Sequence, residues 1–395
     1  MSISRTSLQS VTCYVPSKVF NGYTLFSPTK GSGAWLIDMR GRFVHHWDMG
    51  LAPALYGKLL PNGHLLYAGK LPDAPFPEFG GIGGKLIEVD WDGNTIWEYE
   101  DRYMHHDFCR LPNGNTMILR WVATPDDITA KVRGGVNGTE REGVMWADAF
   151  REITPEGKVV WEWLSYEHLD PEADAICPLC YRAEWTHTNS CFVLPDGNVL
   201  TALLTLNEIV IIDKASGDFK WRWGADELAH PHDPNMLENG NILVFDNGSH
   251  RPSSLSIPYG MIGFSRVLEV DPKSDKIVWE FRDESPLNFY GSYISGCQRL
   301  PNGNTLICEG TTGRFFEVTP DKELVWEYVS PLYFETKAPS VLGWNNTVFR
   351  AYRYSPDHPG LKGRILDPNR FELTLRKKPA DEKKTLEKRL SRLGY

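Results

Sequence analysis

Residues 85–120 read KLIEVDWDGNTIWEYEDRYMHHDFCRLPNGNTMILR, and two short hairpins follow one another in this stretch. In the first, an alternating apolar strand turns at Asp-Gly, and the return strand closes on Trp97. In the second, a strand that carries MHHDF turns at LPNGN and continues into an apolar strand. Asn-Gly and Asp-Gly favour tight turns because both central positions tolerate positive φ. The stretch therefore predicts four consecutive antiparallel strands.

Both hairpins recur along the chain. Copies of the first close on Trp47, Trp97, Trp161, Trp221, Trp279 and Trp326. Copies of the second begin at Leu59, Arg110, Val193, Met236 and Arg299, with a degenerate copy at Leu342. One four-stranded sheet cannot bury both of its faces alone, so neighbouring copies must cover it. The pattern predicts an all-β fold, a six-bladed β-propeller in which the tryptophans pack between blades.

The repeat also sets the predicted domain organisation. The propeller is expected to occupy residues 21–359, after an N-terminal extension of residues 1–20. Residues 360–395 are predicted to form a charged, helical C-terminal tail that could clasp a second copy of the chain. The helical spacing of this tail rests on Leu386, Leu390 and Leu393.

The composition argues against several classes of partner. The net charge is −9, from 51 acidic and 42 basic residues, and nucleic acid or an anionic membrane would favour a basic surface. No run approaches the roughly 18 apolar residues that span a bilayer, and the first 20 residues have no apolar core of an export signal. Seven scattered cysteines suit reduced thiols. We therefore expect a cytoplasmic protein without a membrane or nucleic-acid partner.

Two long insertions, at 122–147 and 165–185, interrupt the repeat and are expected to form loops that cap one face. The second contains Cys177 and Cys180 in the sequence CPLC. Since neither a second cysteine pair nor a histidine lies near this CxxC in the sequence, the pattern favours free thiols over a zinc site.

Histidines fall at matching points of the second hairpin. Counted back from the leucine before each turn, the fifth position is Leu55, His106, Asn189, His232 and Ser295. The seventh position is Pro53, Met104, His187, His230 and Tyr293. The innermost strand of each blade lines the channel of a propeller, so matching positions on successive blades converge on the axis.

We therefore expect His106, His187 and His232 to meet in the channel, with His105 and His230 as neighbours if the register shifts. Imidazole suits proton transfer near neutral pH, nucleophilic capture and metal binding. The side chains that could fix the histidine tautomers are Asp107, Asp233, Asn189 and Asn235.

From about Asn21 to Tyr354 the sequence resembles the arylsulfotransferase family, bacterial enzymes with a six-bladed propeller. The resemblance is carried by NGYTLF, WLIDMRGRFVHHW, HHD, WTHTNS, HPHDPNMLENGNILVFDNG, LPNGNTLICEGTTGRFFEVT and VWEY. It implies that a sulfuryl group passes from a phenolic sulfate to a phenol without a nucleotide donor or a required cofactor. It also implies a ping-pong cycle in which a channel histidine transiently carries the group. By motif, His232 would be the nucleophile, while His187 and His106 would bind the sulfate oxygens or shuttle the phenol proton.

The sequence departs from the family at an arginine that grips the sulfate, which corresponds here to Thr205. A threonine cannot replace a bidentate anion donor, although Arg182, Arg120 or Arg251 could. The export signal and the paired cysteines of the family are also absent, which suggests a divergent, cytoplasmic member. The residues expected to contact the substrate are His105, His230, Asn189, Arg182, His250, Arg251 and Tyr293.

Two other hypotheses remain open. The imidazoles of His106, His187 and His232 could instead hold a divalent metal ion and serve a lyase or hydrolase that acts on a small, aromatic substrate. The missing arginine fits this alternative. A propeller that only binds partners on its rim is the third hypothesis, and it leaves the channel histidines unexplained.

Overall fold

In the computed structural model, which describes residues 10–76, 79–251, 263–336 and 343–370, six antiparallel sheets surround a common axis. The innermost strands of the sheets contact one another around this axis. The second strands are buried along nearly their whole length, so neighbouring sheets cover both of their faces, while the outermost strands keep exposed residues. The predicted six-bladed β-propeller is confirmed.

The blades are numbered in the order of their closing tryptophans, and their strands are given from the axis outward. Blade 1 contains Val348–Tyr354, Tyr23–Pro28, Gly33–Ile37 and Phe43–Asp48. Blade 2 contains Pro53–Leu59, Leu65–Lys70, Gly84–Val89 and Thr95–Glu100. Blade 3 contains Met104–Arg110, Thr116–Ala123, Trp146–Ile153 and Val159–Leu164. Blade 4 contains Phe192–Val193, Val199–Leu203, Glu208–Ile212 and Phe219–Trp223. Blade 5 contains Pro231–Met236, Ile242–Asp246, Arg266–Asp271 and Lys276–Phe281. Blade 6 contains Gly296–Arg299, Thr305–Glu309, Arg314–Val318 and Leu324–Val329.

Blade 1 closes the ring because it combines strands from both ends of the chain. Its innermost strand, Val348–Tyr354, pairs with Tyr23–Pro28. The degenerate sixth hairpin predicted from the sequence is this strand, and its partner in the sheet comes from the N-terminal part of the chain. Ser10–Tyr14, in the predicted N-terminal extension, adds a fifth strand to the outer edge of blade 6.

The six closing tryptophans link each blade to the next. Each indole N–H donates a hydrogen bond of 2.6–3.1 Å to the turn between the third and fourth strands of the following blade. The pairs are Trp47 to Asp90, Trp97 to Pro155, Trp161 to Lys214, Trp221 to Asp275, Trp279 to Pro320 and Trp326 to Met39. The tryptophans therefore add a polar bond at each junction to the packing expected of them.

The two insertions pair with each other. The first contains a helical turn, Asp126–Thr129, and a strand, Gly134–Val136. The second contains the strand Ile176–Tyr181, which runs parallel to Gly134–Val136, and ends in Glu184–Trp185, which joins the third strand of blade 3. Both insertions thus form one small layer attached to blades 3 and 4.

The remaining elements are short. They are the 3₁₀ turns Ser165–Glu167, Leu204–Leu206, Pro286–Asn288, Gly310–Thr312, Pro359–Leu361 and Pro368–Arg370, and the hairpin strands Phe334–Thr336 and Gly343–Asn345. Leu361 is buried against blades 1 and 2. The predicted tail helix, with its three leucines, lies outside the described residues. Within the described part of the chain, no helix has the length and apolar character needed to cross a membrane.

Candidate active site

The structure brings the predicted channel histidines around one aromatic ring. The rings of His106 and His187 lie 4.6 Å apart, edge to face. Phe349 lies 6.4 Å from the His106 ring and 6.2 Å from the His232 ring. His106 and His232 belong to the innermost strands of blades 3 and 5, while His187 lies in the loop that enters blade 4. Residues far apart in sequence therefore share one buried region.

The backbone is left-handed at several of these positions. His106, His187, His230 and His250 have φ values between 51° and 58°. A histidine with positive φ is uncommon and costs on the order of 1–3 kcal/mol, which the surrounding fold must offset. Such strain is concentrated at functional sites, and here it turns imidazoles of blades 3, 4 and 5 toward the channel region.

His232 has a fixed tautomer. The side-chain amide of Asn247 donates to the carbonyls of Gly291 and Ile294, at 2.6 and 2.8 Å, so its oxygen faces Nδ1 of His232 at 2.7 Å. An amide oxygen only accepts, so Nδ1 carries the proton and Nε2 carries the lone pair. Burial also lowers the pKa of His232 to about 3, which keeps the ring neutral.

His106 is backed by a second histidine and a carboxylate. Its Nδ1 lies 2.7 Å from Nδ1 of His105, whose Nε2 lies 3.2 Å from a carboxylate oxygen of Asp148. The other oxygen of Asp148 accepts from the backbone N–H groups of Thr186 and Thr188. Burial alone would raise the pKa of Asp148, but its bonds to His105 and to these amides lower it. His105 was predicted to contact the substrate, yet its ring is buried between His106 and Asp148.

The surroundings of His187 shift its pKa upward, in the opposite direction to the pKa of His232. Burial would lower its pKa, but Glu184 at 2.8 Å and the charge of Asp148 outweigh burial and raise the pKa. Glu184 is held in turn by the indole N–H of Trp121 at 2.9 Å. By contrast, burial and the neighbouring histidines lower the pKa of His106 well below the ordinary value. The surroundings therefore favour the protonated form of His187 and the neutral forms of His106 and His232.

Arg350 lies where blades 3, 4 and 5 face blade 1, and no pattern in the sequence indicated this role. Arg353 pairs with Thr24 and bridges to Glu317 of the preceding blade, as Arg110 pairs with Thr116 and bridges to Glu88. Arg350, three residues before Arg353, therefore occupies in blade 1 the position that Asp107 occupies in blade 3. Because the second strand of blade 1 comes from the other end of the chain, no LPNG turn follows Arg350 to reveal this match.

The guanidinium of Arg350 joins the inner strands of three other blades. It lies 2.8 Å from Asp107 and 3.2 Å from Asp233, and it donates to the carbonyl of Asn189 at 2.9 Å. The hydroxyl of Tyr56 donates a hydrogen bond to Asp107, and the hydroxyl of Tyr352 donates one to Asp233. Asp107 and Asp233 were predicted to fix histidine tautomers, but they neutralise this arginine instead.

Glycines form part of the wall beside the histidines. A Cβ at Gly81 would overlap the ring of His106, and a Cβ at Gly80 would lie 3.4 Å from Cε1 of His187. Gly81 also has a φ of 76°. The FGGIGG loop thus approaches the His106 ring more closely than any side chain would permit, whereas at Gly80 a Cβ would make an ordinary contact with His187.

The other arginines considered for sulfate binding have structural partners. Arg182 pairs with Glu140 and donates to the carbonyls of Val132 and Gly134, and so ties the two insertions together. Arg251 pairs with Asp246, and Arg120 with Asp101. The guanidinium groups of Arg182 and Arg251 already neutralise carboxylates, and their contacts with a substrate stay predictions.

Three further positions differ from expectation. The side chain of Asn189 donates to the carbonyl of Pro231 at 2.8 Å and so joins blades 4 and 5 instead of facing a substrate. Tyr293 is exposed. Thr205, at the position of the family's arginine, is buried and donates to the carbonyl of Thr186.

A second cluster lies beside the first. The CPLC thiols meet two histidines of blade 5, with Cys180 Sγ 3.3 Å from Nε2 of His230 and 3.6 Å from Nδ1 of His250. Cys177 Sγ lies 3.5 Å from the same nitrogen of His250. His230 and His250 were predicted to contact the substrate, but they face the thiols. These histidines are far from the CxxC in the sequence and approach it because the second insertion folds back onto blade 5.

This second cluster also bears on the metal hypothesis. Among the described residues, the group whose donor atoms could hold a metal ion is Cys177, Cys180, His230 and His250. The expected set of His106, His187 and His232 is not such a group.

A model of the Arylsulfotransferase (ASST) family matches residues 59–331. Among solved structures, a protein of unknown function from Bacteroides caccae matches with a TM-score of 0.52 and 13% identity, covering 84% of this chain and 98% of that one. Virginiamycin B lyase from Staphylococcus aureus matches with a TM-score of 0.45 and 12% identity, covering 82% and 88%. No curated protein matches the sequence significantly. The Bacteroides caccae protein shares the fold.

Proposed function

Because the chain belongs to the arylsulfotransferase family, we propose that it transfers a sulfuryl group from a phenolic sulfate to a phenol through a histidine nucleophile. His232 is the nucleophile, His187 is the acid and then the base, and His106 is a positioning residue. Neither a nucleotide donor nor a metal ion takes part in this transfer. Family membership supports the sulfotransferase class, and the geometry around His232 supports the residue roles.

The observation that carries this proposal is the hydrogen bond between Asn247 and His232. The two donors of Asn247 are taken by backbone carbonyls, so its oxygen holds the proton of the imidazole on Nδ1. The carbonyl of His230, 3.3 Å from Nδ1, accepts from the same side of the ring. The lone pair of Nε2 is thereby oriented for attack without prior proton transfer.

In the first half-reaction, Nε2 of His232 attacks sulfur, and the bond between sulfur and the phenolic oxygen breaks. Its electron pair leaves with the phenolate, which takes the proton of the His187 imidazolium. The product phenol departs and the sulfuryl group stays on Nε2. The positive charge of His187, favoured by Glu184, also attracts the anionic substrate.

The second half-reaction reverses these steps with another phenol. Its hydroxyl oxygen attacks sulfur, the N–S bond breaks, and the electron pair returns to Nε2. The hydroxyl proton passes to His187, which restores the imidazolium. Donor and acceptor occupy the same place in turn, so the same residue serves as acid and base.

His106 keeps this geometry in place. Its ring contacts His187 edge to face, and it is held from behind by His105 and Asp148. The ring of Phe349, near both His106 and His232, offers an apolar surface for the aromatic part of the substrate.

The experiment is turnover of p-nitrophenyl sulfate by the purified full chain with and without a phenol acceptor. We expect acceptor-dependent release of p-nitrophenol, a sulfated acceptor, and a sulfuryl adduct on His232 in rapidly quenched protein. His232→Ala should abolish all three. His64→Ala is the matched control, because His64 pairs with Glu88 at a hairpin turn. Absence of transfer with every phenolic sulfate tested, or unchanged turnover in His232→Ala, would show the proposal to be wrong.

A further inference from the structure

We propose that Cys177, Cys180, His230 and His250 bind one Zn²⁺ ion, in a site separate from the histidines of sulfuryl transfer. The four donor atoms, two thiol sulfurs and two imidazole nitrogens, all lie within 4.8 Å of one another. This site goes beyond the proposed transfer reaction and does not depend on it.

The distances fit tetrahedral zinc. With Zn–S bonds of about 2.3 Å and Zn–N bonds of about 2.0–2.1 Å, sulfur and nitrogen ligands on adjacent corners lie about 3.6 Å apart. Three of the four sulfur–nitrogen distances are 3.3, 3.5 and 3.6 Å, and the fourth is within 4.8 Å. An ion between these atoms therefore needs only small side-chain movements.

The donor set and its spacing are those of a zinc site. Two cysteines separated by two residues can bind the ion from one strand, and here they lie in Ile176–Tyr181. The histidines come from positions just before the first strand and just after the second strand of blade 5. Two thiolates with two imidazoles favour zinc over magnesium or calcium, which prefer oxygen ligands.

The site would have a structural role. Four protein ligands complete the tetrahedron, which leaves no open position for substrate. Among the described residues, no backbone hydrogen bond connects the second insertion to blade 5. The ion would join these two parts through side chains. It would also fix His230, whose carbonyl lies 3.3 Å from Nδ1 of the nucleophile His232. The metal would therefore position the catalytic histidine from two residues away.

Metal analysis tests the proposal. The full chain, purified under reducing conditions without added metal or chelator, should contain one zinc ion per molecule. After exchange with Co²⁺, the wild-type protein should show thiolate-to-cobalt charge-transfer absorption. The Cys177→Ser/Cys180→Ser double variant should lose at least nine-tenths of the zinc. Cys13→Ser is the matched control, because Cys13 lies on the outer edge of blade 6 and should leave the metal content unchanged.

His250→Gln adds a second, milder variant, and we expect it to weaken zinc retention during dialysis at least tenfold. Wild-type protein that neither contains zinc nor takes it up after reduction would overturn the proposal. So would zinc content that persists in the double variant, or a Cys177–Cys180 disulfide whose reduction does not restore zinc binding. None of these measurements depends on sulfuryl transfer, so the zinc site and the transfer reaction can fail separately.

Discussion

The side-chain oxygen of Asn247 lies 2.7 Å from Nδ1 of His232. Asn247 follows the second strand of blade 5, and His232 lies near the start of the first strand of the same blade. This contact selects the tautomer that leaves Nε2 free to attack. We predict that Asn247→Leu lowers kcat for p-nitrophenyl sulfate at least roughly 100-fold, because the wrong tautomer becomes populated.

Asn247→Asp should recover part of that loss, since it keeps an acceptor oxygen opposite Nδ1. Stopped-flow measurement of adduct formation on His232 checks both variants. As a control, Asn239→Leu removes an amide that donates to Glu269 at a hairpin turn and should leave kcat unchanged. Equal losses in Asn247→Leu and Asn247→Asp would argue for a purely structural role.

The second prediction concerns pH. Glu184 raises the pKa of His187, so the imidazolium is present at low pH and is lost as pH rises through this pKa. The groups whose charges also act on this region are Asp148, His106, His230 and His232. In Glu184→Gln the alkaline limb of kcat/KM should move to lower pH by about one to two units.

The pH profile of kcat/KM for both proteins measures this shift. Glu162→Gln, which removes a carboxylate paired with Arg151 on the outer strand of blade 3, is the control and should leave the limb in place. An alkaline limb that does not move in Glu184→Gln would remove His187 from the role of acid.

The third prediction uses a pair of glycines. Gly81 and Gly93 both have positive φ, at 76° and 89°, but only Gly81 has its Cβ position filled by the ring of His106. Each change to alanine should cost about 1 kcal/mol of stability from backbone strain. Only Gly81→Ala should also reduce turnover, by roughly tenfold or more, because His106 must move. Thermal unfolding measures the loss of stability, and steady-state kinetics measures the loss of turnover. Equal activity of both variants would contradict the inference that Gly81 makes room for the ring of His106.

The fourth prediction concerns the axial arginine. Arg350→Met leaves Asp107 and Asp233 buried without their cation, which should lower the free energy of unfolding by about 3–5 kcal/mol. Lys18→Met, which breaks an exposed pair with Glu323, should cost less than about 1 kcal/mol. Urea denaturation followed by tryptophan fluorescence measures both. A similar cost for the two variants would mean that Arg350 is not the main counter-charge of the channel.

The fold could be predicted because its signals are local. Each closing Trp and each Asn-Gly or Asp-Gly turn lies within a single hairpin, so one short window of sequence contains the whole pattern. The repeat also indicated that His106 and His187 lie near the same axis, although they occupy the fifth and the seventh position of their units, and their rings lie 4.6 Å apart.

The rest depended on contacts that no local pattern records. Arg350 was missed because its blade joins the two ends of the chain, which removes the turn that marked the other copies. The partners of Cys177 were missed because His250 lies 73 residues away and meets it only when the second insertion folds back. The ion pairs of Arg182 and Arg251 were not predicted either, because the sequence shows a charge and not the carboxylate that neutralises it.

The closure of blade 1 by Val348–Tyr354 has a consequence for biosynthesis. A ribosome makes the other innermost strands first, and the emerging chain must wait for this segment before its toroid can shut. Until then Asp107 and Asp233 lack the guanidinium that neutralises them. Termination before Val348–Tyr354 would therefore leave the ring open, with Asp107 and Asp233 lacking their counter-charge.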